Sequence, residues 1–208
     1  MVGLIEDERI GTDLKWAAPQ LDIILLGETR DELGGSEWQQ MQLPDALAAP
    51  PRVDLERERA LIDLLISLQE KRLVRSAHDI SNGGLAVALA ESSMNHIGCH
   101  VDLRGHADDI DAVALLFSES QGRAVVSCNP DHRDAIIRLA NDVAVPAMRI
   151  GHTAFGTFVI ERNEVPIIRT TAPELERIWS SAFGLLLAGD SIDDVIRDRG
   201  EEVEMIPH

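Results

Sequence analysis

Basic residues are in short supply: 19 lysines and arginines stand against 36 aspartates and glutamates, a formal net charge of −17 over 208 residues. Such a chain repels polyanions and lacks the counterion release that drives nucleic-acid binding, so nucleic acid and anionic membrane surfaces are not expected as partners. Cysteine is nearly absent. Cys99 and Cys128 sit in separate apolar contexts, "GCHVDL" and "AVVSCNP", without the paired spacing of a metal site or disulfide framework, and buried free thiols are expected. No apolar run approaches the roughly 20 residues that span a bilayer. The N-terminus also lacks the basic-then-apolar layout of a secretion signal, so a cytoplasmic location is expected. The seven histidines show no zinc spacing: His96 and His100 lie four apart, but Gly98 stops the helix between them. Neither cysteine has a histidine neighbour of the kind a nucleophile needs, and no repeat or low-complexity segment is present. Catalytic and metal-ligating residues are therefore not assigned in this chain.

What is present suits one domain with a tail. At 45% hydrophobic, the chain can bury a sizeable core. The opening "VGLIED" reads as an ordered element entered from upstream, the mark of a domain taken from a longer chain. "DIILLG" is a buried strand, followed by a charged loop with a turn at Gly34-Gly35-Ser36 and an irregular stretch around Pro44, Pro50 and Pro51. Asp54 then caps a helix whose apolar stripe is Leu55, Leu61, Leu64, Leu65 and Leu68, with Lys71 and Arg72 in its last turn. A second helix runs from about Gly84 to Met94, "CHVDL" is a strand, and "ADDIDAVALLFSES" holds a short helix. "RAVVSC" is a strand, "PDHRDAIIRLANDV" an amphipathic helix from Pro130 or Asp131. "AMRIGHT", "TFVIER" and "VPIIRT" are strands, the last two a hairpin through Arg162-Asn163-Glu164. "APELERIWSSAFGLLLAG" is a terminal helix before an acidic, frayed extension. The order lacks the strict rhythm of a doubly wound sheet and predicts an α/β (α+β) fold, a mixed sheet covered by helices. The expected limits are an entry segment over 1–20, the domain over 21–188 and an acidic tail over 189–208.

Three polar loops combine small residues with charge at the ends of these elements: Glu28 to Glu37, His78 to Gly84, and Ser118 to Arg123. In the second, Gly83 and Gly84 let backbone N–H groups approach a ligand, and the helix that follows presents a dipole end suited to phosphate. Asp79 supplies a carboxylate for Mg2+ or a ribose hydroxyl, and Ser81 and Asn82 supply hydrogen bonds. The competing reading is a plain capped turn, since a Gly-Gly turn without the full phosphate-loop pattern is a weak signal. Gly34, Gly35 and Ser36 read equally as a turn. Glu119, Ser120 and Gln121 read as ligand groups or as an exposed loop.

"LLGETRDELGGSEW", "SAHDISNGGLAVALAES" and "LLFSESQGRAVVS", in this order, resemble the C-terminal portion of phosphoribosylformylglycinamidine synthase, over roughly residues 2 to 169. The resemblance implies a domain like the C-terminal domain of aminoimidazole ribonucleotide synthetase. It implies a place in an ATP- and Mg2+-dependent ligase that converts formylglycinamide ribonucleotide to formylglycinamidine ribonucleotide. It also implies partners: upstream synthetase domains, a glutaminase subunit that delivers ammonia, and a small accessory subunit. The family's catalytic histidine, principal Mg2+ ligands and ATP contacts belong to parts preceding residue 1. The isolated chain is thus expected to be inactive, its loops lining a pseudo-equivalent pocket. Gly34, Gly35, Ser36, Asp79, Ser81, Gly83, Gly84, Glu119, Ser120 and Gln121 are the candidate nucleotide- or phosphate-facing residues. Two departures from the family pattern are Asn82 in place of a common Asp and Gly122 in place of a larger polar residue. The former makes a metal role at position 82 doubtful. A stand-alone nucleotide-binding or scaffolding module is the alternative. A sister enzyme, such as aminoimidazole ribonucleotide synthetase or selenophosphate synthetase, is disfavoured by "GETRDELGGSE". Removal from a larger neighbour would also expose an apolar patch through which the fragment pairs with itself.

Overall fold

The structure, a computed structural model, describes residues 11–46, 48–107 and 109–189. The opening "VGLIED" run and the tail beyond Gly189 lie outside the described residues. Seven strands form one mixed sheet: β1 (Asp22–Leu26), β2 (Ser76–Asp79), β3 (Ile97–Asp102), β4 (Ala124–Cys128), β5 (Ala147–Phe155), β6 (Thr157–Arg162) and β7 (Val165–Thr171), in the order β2-β4-β1-β5-β3-β6-β7. All neighbours are antiparallel except β3 and β6. The helices are α1 (Glu37–Gln42), α2 (Leu55–Glu70), α3 (Gly84–Ser92), α4 (Ala112–Phe117), α5 (Arg133–Asp142) and α6 (Ala172–Ala188).

Because side chains alternate along a strand, the central β1 serves two cores. Ile23 and Leu25 join Leu85 and Leu89 of α3 and Leu115 and Leu116 of α4 on one face. Ile24 and Leu26 join Leu61, Leu64 and Leu68 of α2 and Ile136 of α5 on the other. Each such side chain contributes about 1.5–3 kcal/mol when buried. The first core continues under β3 and β6 through Cys99, Val101, Phe158 and Ile160. The second stops at β5. Beyond it, the face opposite Cys99 and Val101 carries His100, whose Nε2 lies 3.1 Å from Glu161 Oε2 and whose ring stands 5.7 Å from that of His152. Burial, with His100 and Arg149 nearby, lowers the pKa of His152. The sheet is therefore three layers thick at the β2 end and thinner at the β7 end.

The helix starts follow from their caps. The Asp54 carboxylate accepts from the N–H groups of Glu56 and Arg57, at 3.1 and 3.2 Å, and Asp111 does the same for α4 at 2.7 and 2.9 Å. The β6–β7 hairpin turns at Asn163 and Glu164, both at positive φ (54° and 67°), a left-handed pair that matches strand twist.

Several expectations are corrected. The charged loop after β1 gives way at Ser36 to a short helix, α1, that was not expected, ahead of the irregular stretch around Pro44, Pro50 and Pro51. The polar Ser76–Asp79 run is a strand, made so by pairing with β4. Leu55 begins α2 but points to solvent, 77% exposed, and Lys71 and Arg72 lie beyond the helix end. The second helix ends at Ser92, two residues before Met94. Pro130–His132 form a 3-10 turn, and the α-helix itself starts at Arg133. Both cysteines are buried and free, and burial raises each thiol to about 12, which keeps them neutral and unreactive.

Candidate functional site

The three polar loops meet at one carboxylate. Glu119 Oε1 accepts from the N–H of Gly83 and from the N–H of Glu37, each at 2.8 Å, so one side chain ties the third loop to the other two. Asn82 Nδ2 donates to Glu37 Oε1 at 3.4 Å across the same junction. Below it, Ser120 is fully buried and its hydroxyl bridges the backbone of Arg30, accepting from the N–H at 3.1 Å and donating to the carbonyl at 3.2 Å.

A buried arginine that the sequence reading passed over underlies the junction. Arg123 is 2% exposed, and its guanidinium donates to the carbonyls of Ser120 (2.9 Å) and Ser118 (2.6 Å) and to Thr29 Oγ1 (3.1 Å). Burial pushes its pKa down to about 10, with Glu32 and Glu119 pulling the other way, so it stays cationic at neutral pH. Thr29 Oγ1 also lies 2.9 Å from His106 Nε2. The "GR" at the end of "SESQGR" was the only trace of this cation in the sequence, and nothing local distinguishes it from a surface residue.

The glycine pair is shaped by packing. Gly83 and Gly84 lie at φ +77° and +67°, the left-handed region that glycine enters without penalty. A Cβ on Gly84 would stand 2.6 Å from the Ser118 carbonyl oxygen and 2.7 Å from that of Leu116, at the end of α4. Gly84 N–H is also engaged, donating to Ser81 O at 3.1 Å. The phosphate-facing position at the start of α3 therefore has its Gly83 N–H on Glu119, an internal anion, and its second glycine against backbone. Gly34, Gly35 and Ser36 are similarly engaged. A Cβ on Gly34 would collide with Ala49 O, Gly35 N–H donates to Gln39 Oε1 at 2.6 Å, and buried Ser36 caps α1 by accepting from Gln39 N–H at 3.1 Å.

The remaining candidates, Asp79, Ser81 and Gln121, line a groove of about 340 Å3 under α2, with His78, Ile62 and Leu65. His78 Nε2 lies 3.0 Å from Glu91 Oε2, and its Nδ1 faces Asp79 O at 2.7 Å, which fits a positioned second-layer histidine. Across the Gln121-Gly122 turn, a second cleft of about 340 Å3 is lined by Glu28, Arg30 and Arg57. A shallower hollow of about 590 Å3 adds Arg52. The Arg57 guanidinium, helped by Arg30, holds the Glu28 carboxyl below its ordinary range, and Arg30 also pairs with Glu32 and Arg57 with Asp54. Among the described residues, no group of three histidine, cysteine or carboxylate side chains is arranged to hold a metal ion. No described helix is long and apolar enough to cross a membrane.

One carboxylate thus latches the three loops together, and the family of the chain can be stated. Residues 21–159 match the model of the AIR synthase related protein, C-terminal domain, and the chain belongs to that family. Among its relatives, the phosphoribosylformylglycinamidine synthase subunit PurL of Thermobifida fusca is 43% identical over 188 residues, 89% of this chain and 24% of the relative. The same subunit of Caldanaerobacter subterraneus subsp. tengcongensis is 36% identical over 180 residues, 86% of this chain and 24% of the relative. The chain thus spans about a quarter of the length of these curated relatives. The fold is shared with T. maritima PurL complexed with FGAR, at TM-score 0.73 and 20% identity over 81% of this chain and 30% of that one. It is shared also with T. maritima PurL complexed with ATP, at TM-score 0.67 over 81% and 28%.

Proposed function

We propose that the chain is the C-terminal module of a phosphoribosylformylglycinamidine synthase, an ATP- and Mg2+-dependent ligase forming formylglycinamidine ribonucleotide, and that it is inactive by itself. Support comes from relatives of that name matching most of this chain, and from the quarter of their length that it spans. The observation that carries the second half is the engagement of Gly83 N–H by Glu119. With that donor taken, Gly84 closed by carbonyls and no described metal-binding group, these residues do not fit Mg-ATP unaided. The chemistry on ATP then belongs to upstream domains, and ammonia to a glutaminase partner with a small accessory subunit. We place the entry segment at 1–20, the domain at 21–188 and the tail at 189–208. Within the entry segment, buried Trp16 donates from its indole to Ser93 Oγ at 3.0 Å. A cytoplasmic location follows from the same reading.

Calorimetric titration of the chain with Mg-ATP, Mg-ADP and a ribonucleotide phosphate tests this. No heat of binding, and no amidine product from ATP, ammonia and substrate, is the expected result. Turnover by the chain alone would refute inactivity. Micromolar nucleotide binding, abolished by Gly84→Val in a variant that stays folded, would favour a stand-alone nucleotide-binding module instead.

A further inference from the structure

Where the second core stops at β5, two histidines stand side by side on the sheet. Cys99 and Val101 point into the first core, so strand alternation turns His100 to the opposite face. His152 of β5 is its direct antiparallel partner, which puts both rings on that face with centroids 5.7 Å apart. Neither strand is at an edge: β5 lies between β1 and β3, and β3 between β5 and β6. The two side chains therefore rise from backbone that is paired on both sides.

The nitrogens are also prepared. Glu161 Oε2 lies 3.1 Å from His100 Nε2, and a carboxylate only accepts, so Nε2 carries the proton of the neutral ring and Nδ1 keeps a free lone pair. The His100 side chain is 44% exposed, so that lone pair is within reach of solutes. Burial and the neighbouring His100 and Arg149 favour the neutral ring of His152, and Arg149 itself is held by the buried Asp22 at 2.6 Å.

We propose that His100 and His152 form a two-imidazole chelate for a divalent transition-metal cation that prefers nitrogen, Zn2+, Ni2+ or Cu2+, with Glu161 orienting His100 from behind. Metal–nitrogen bonds of about 2.0–2.1 Å set each ring centroid about 3.2 Å from the ion, so two rings at a tetrahedral angle have centroids about 5.2 Å apart. The observed 5.7 Å differs by about 0.5 Å, which small side-chain rotations close. A carboxylate on the far nitrogen is the usual outer layer of such a ligand, fixing its tautomer and raising the basicity of the free nitrogen. Water fills the remaining positions. Two ligands fall short of the three-group sets that are absent among the described residues. They are also foreign to Mg2+, which takes oxygen, so this site is independent of any Mg-ATP chemistry.

Calorimetric titration of the chain with the chloride salts of Zn2+, Ni2+ and Cu2+, in a non-chelating buffer containing Mg2+, tests this. One ion per chain should bind, Cu2+ most tightly and without competition from Mg2+. Affinity should fall at least about tenfold in His100→Ala and in His152→Ala, and roughly tenfold in Glu161→Gln, which keeps both imidazoles. His96→Ala, whose exposed ring precedes β3, should bind as the parent does. Melting curves give a second readout: without metal the variants should melt with the parent, and saturating metal should raise the parent's melting temperature but not that of the double histidine variant. Absence of binding up to about 1 mM metal overturns the proposal. Undiminished binding in the double variant does so too, and undiminished binding in Glu161→Gln removes the orienting role.

Discussion

At the β2–β4–β1 end of the sheet, side-chain hydrogen bonds join residues far apart in sequence: Glu119 to Glu37 across 82 positions, Ser120 to Arg30 across 90, and Arg123 to Thr29 across 94. At the other end, within α6, they join near neighbours, although Arg162 of β6 reaches the carbonyl of Ala107 across 55 positions. Thr171 caps Glu174 three residues on, Arg177 pairs with Glu174, and Ser181 donates to the carbonyl of Ile178. The first end is a convergence of loops that exists only once the sheet is assembled. The second is a hairpin and helix that local chemistry specifies, and it leaves apolar surface outside. A substitution at the loop junction therefore disturbs several segments together, whereas one at the hairpin is absorbed locally.

Four variants probe the contrast. Gly84→Val should be the most damaging. A left-handed backbone costs a side-chain-bearing residue about 1–2 kcal/mol, and the overlap with the Ser118 and Leu116 carbonyls adds a few more, about 4 kcal/mol together. A fall in the urea midpoint with unchanged slope would report it. Arg123→Met keeps the volume but leaves two buried carbonyls and Thr29 Oγ1 without their donor, for about 3 kcal/mol by the same measurement. Glu119→Ala removes the shared acceptor and should cost about 1–2 kcal/mol. Its sharper readout is amide exchange, faster at Gly83 and Glu37 together and unchanged in β6 and β7. Faster exchange at only one of the two would break the picture of a common latch. Glu164→Gly at the hairpin tip should fall within about 0.5 kcal/mol of neutral, because relief at φ +67° offsets the lost exposed pair with Arg104.

The same contrast decides what could be read from the sequence. α2 was legible because Asp54, an acidic first turn and leucines three and four apart are local signals, and the hairpin because Asn163-Glu164 sits between alternating strands. α1 was not. Its six residues follow two glycines and precede Pro44, and it is held by Ser36 and by a carboxylate from another loop. β2 escaped because "SAHD" has no strand-like alternation, and only pairing with Val125 and its neighbours makes it one. Leu55 was misplaced because a stripe drawn on helical spacing does not show where the covering sheet ends. At the candidate site the three motifs and most of their residues were visible. Their partners were not, since the sequence leaves Glu119 open between a ligand group and an exposed turn and gives no sign that its carboxylate accepts from Gly83 and Glu37.

The central strand sets a problem for synthesis. Every residue of β1 is buried, yet its two partners are β4 and β5. On a ribosome adding about 5–20 residues per second, "DIILL" emerges roughly a hundred residues before β4, and so waits about 5–20 seconds with both edges unpaired. The nascent chain must keep its most apolar strand from other chains throughout that interval. The acidic segments that follow β1, from Glu28 to Glu37 and from Asp54 to Asp63, emerge next and are suited to act as charged guards while the sheet is incomplete.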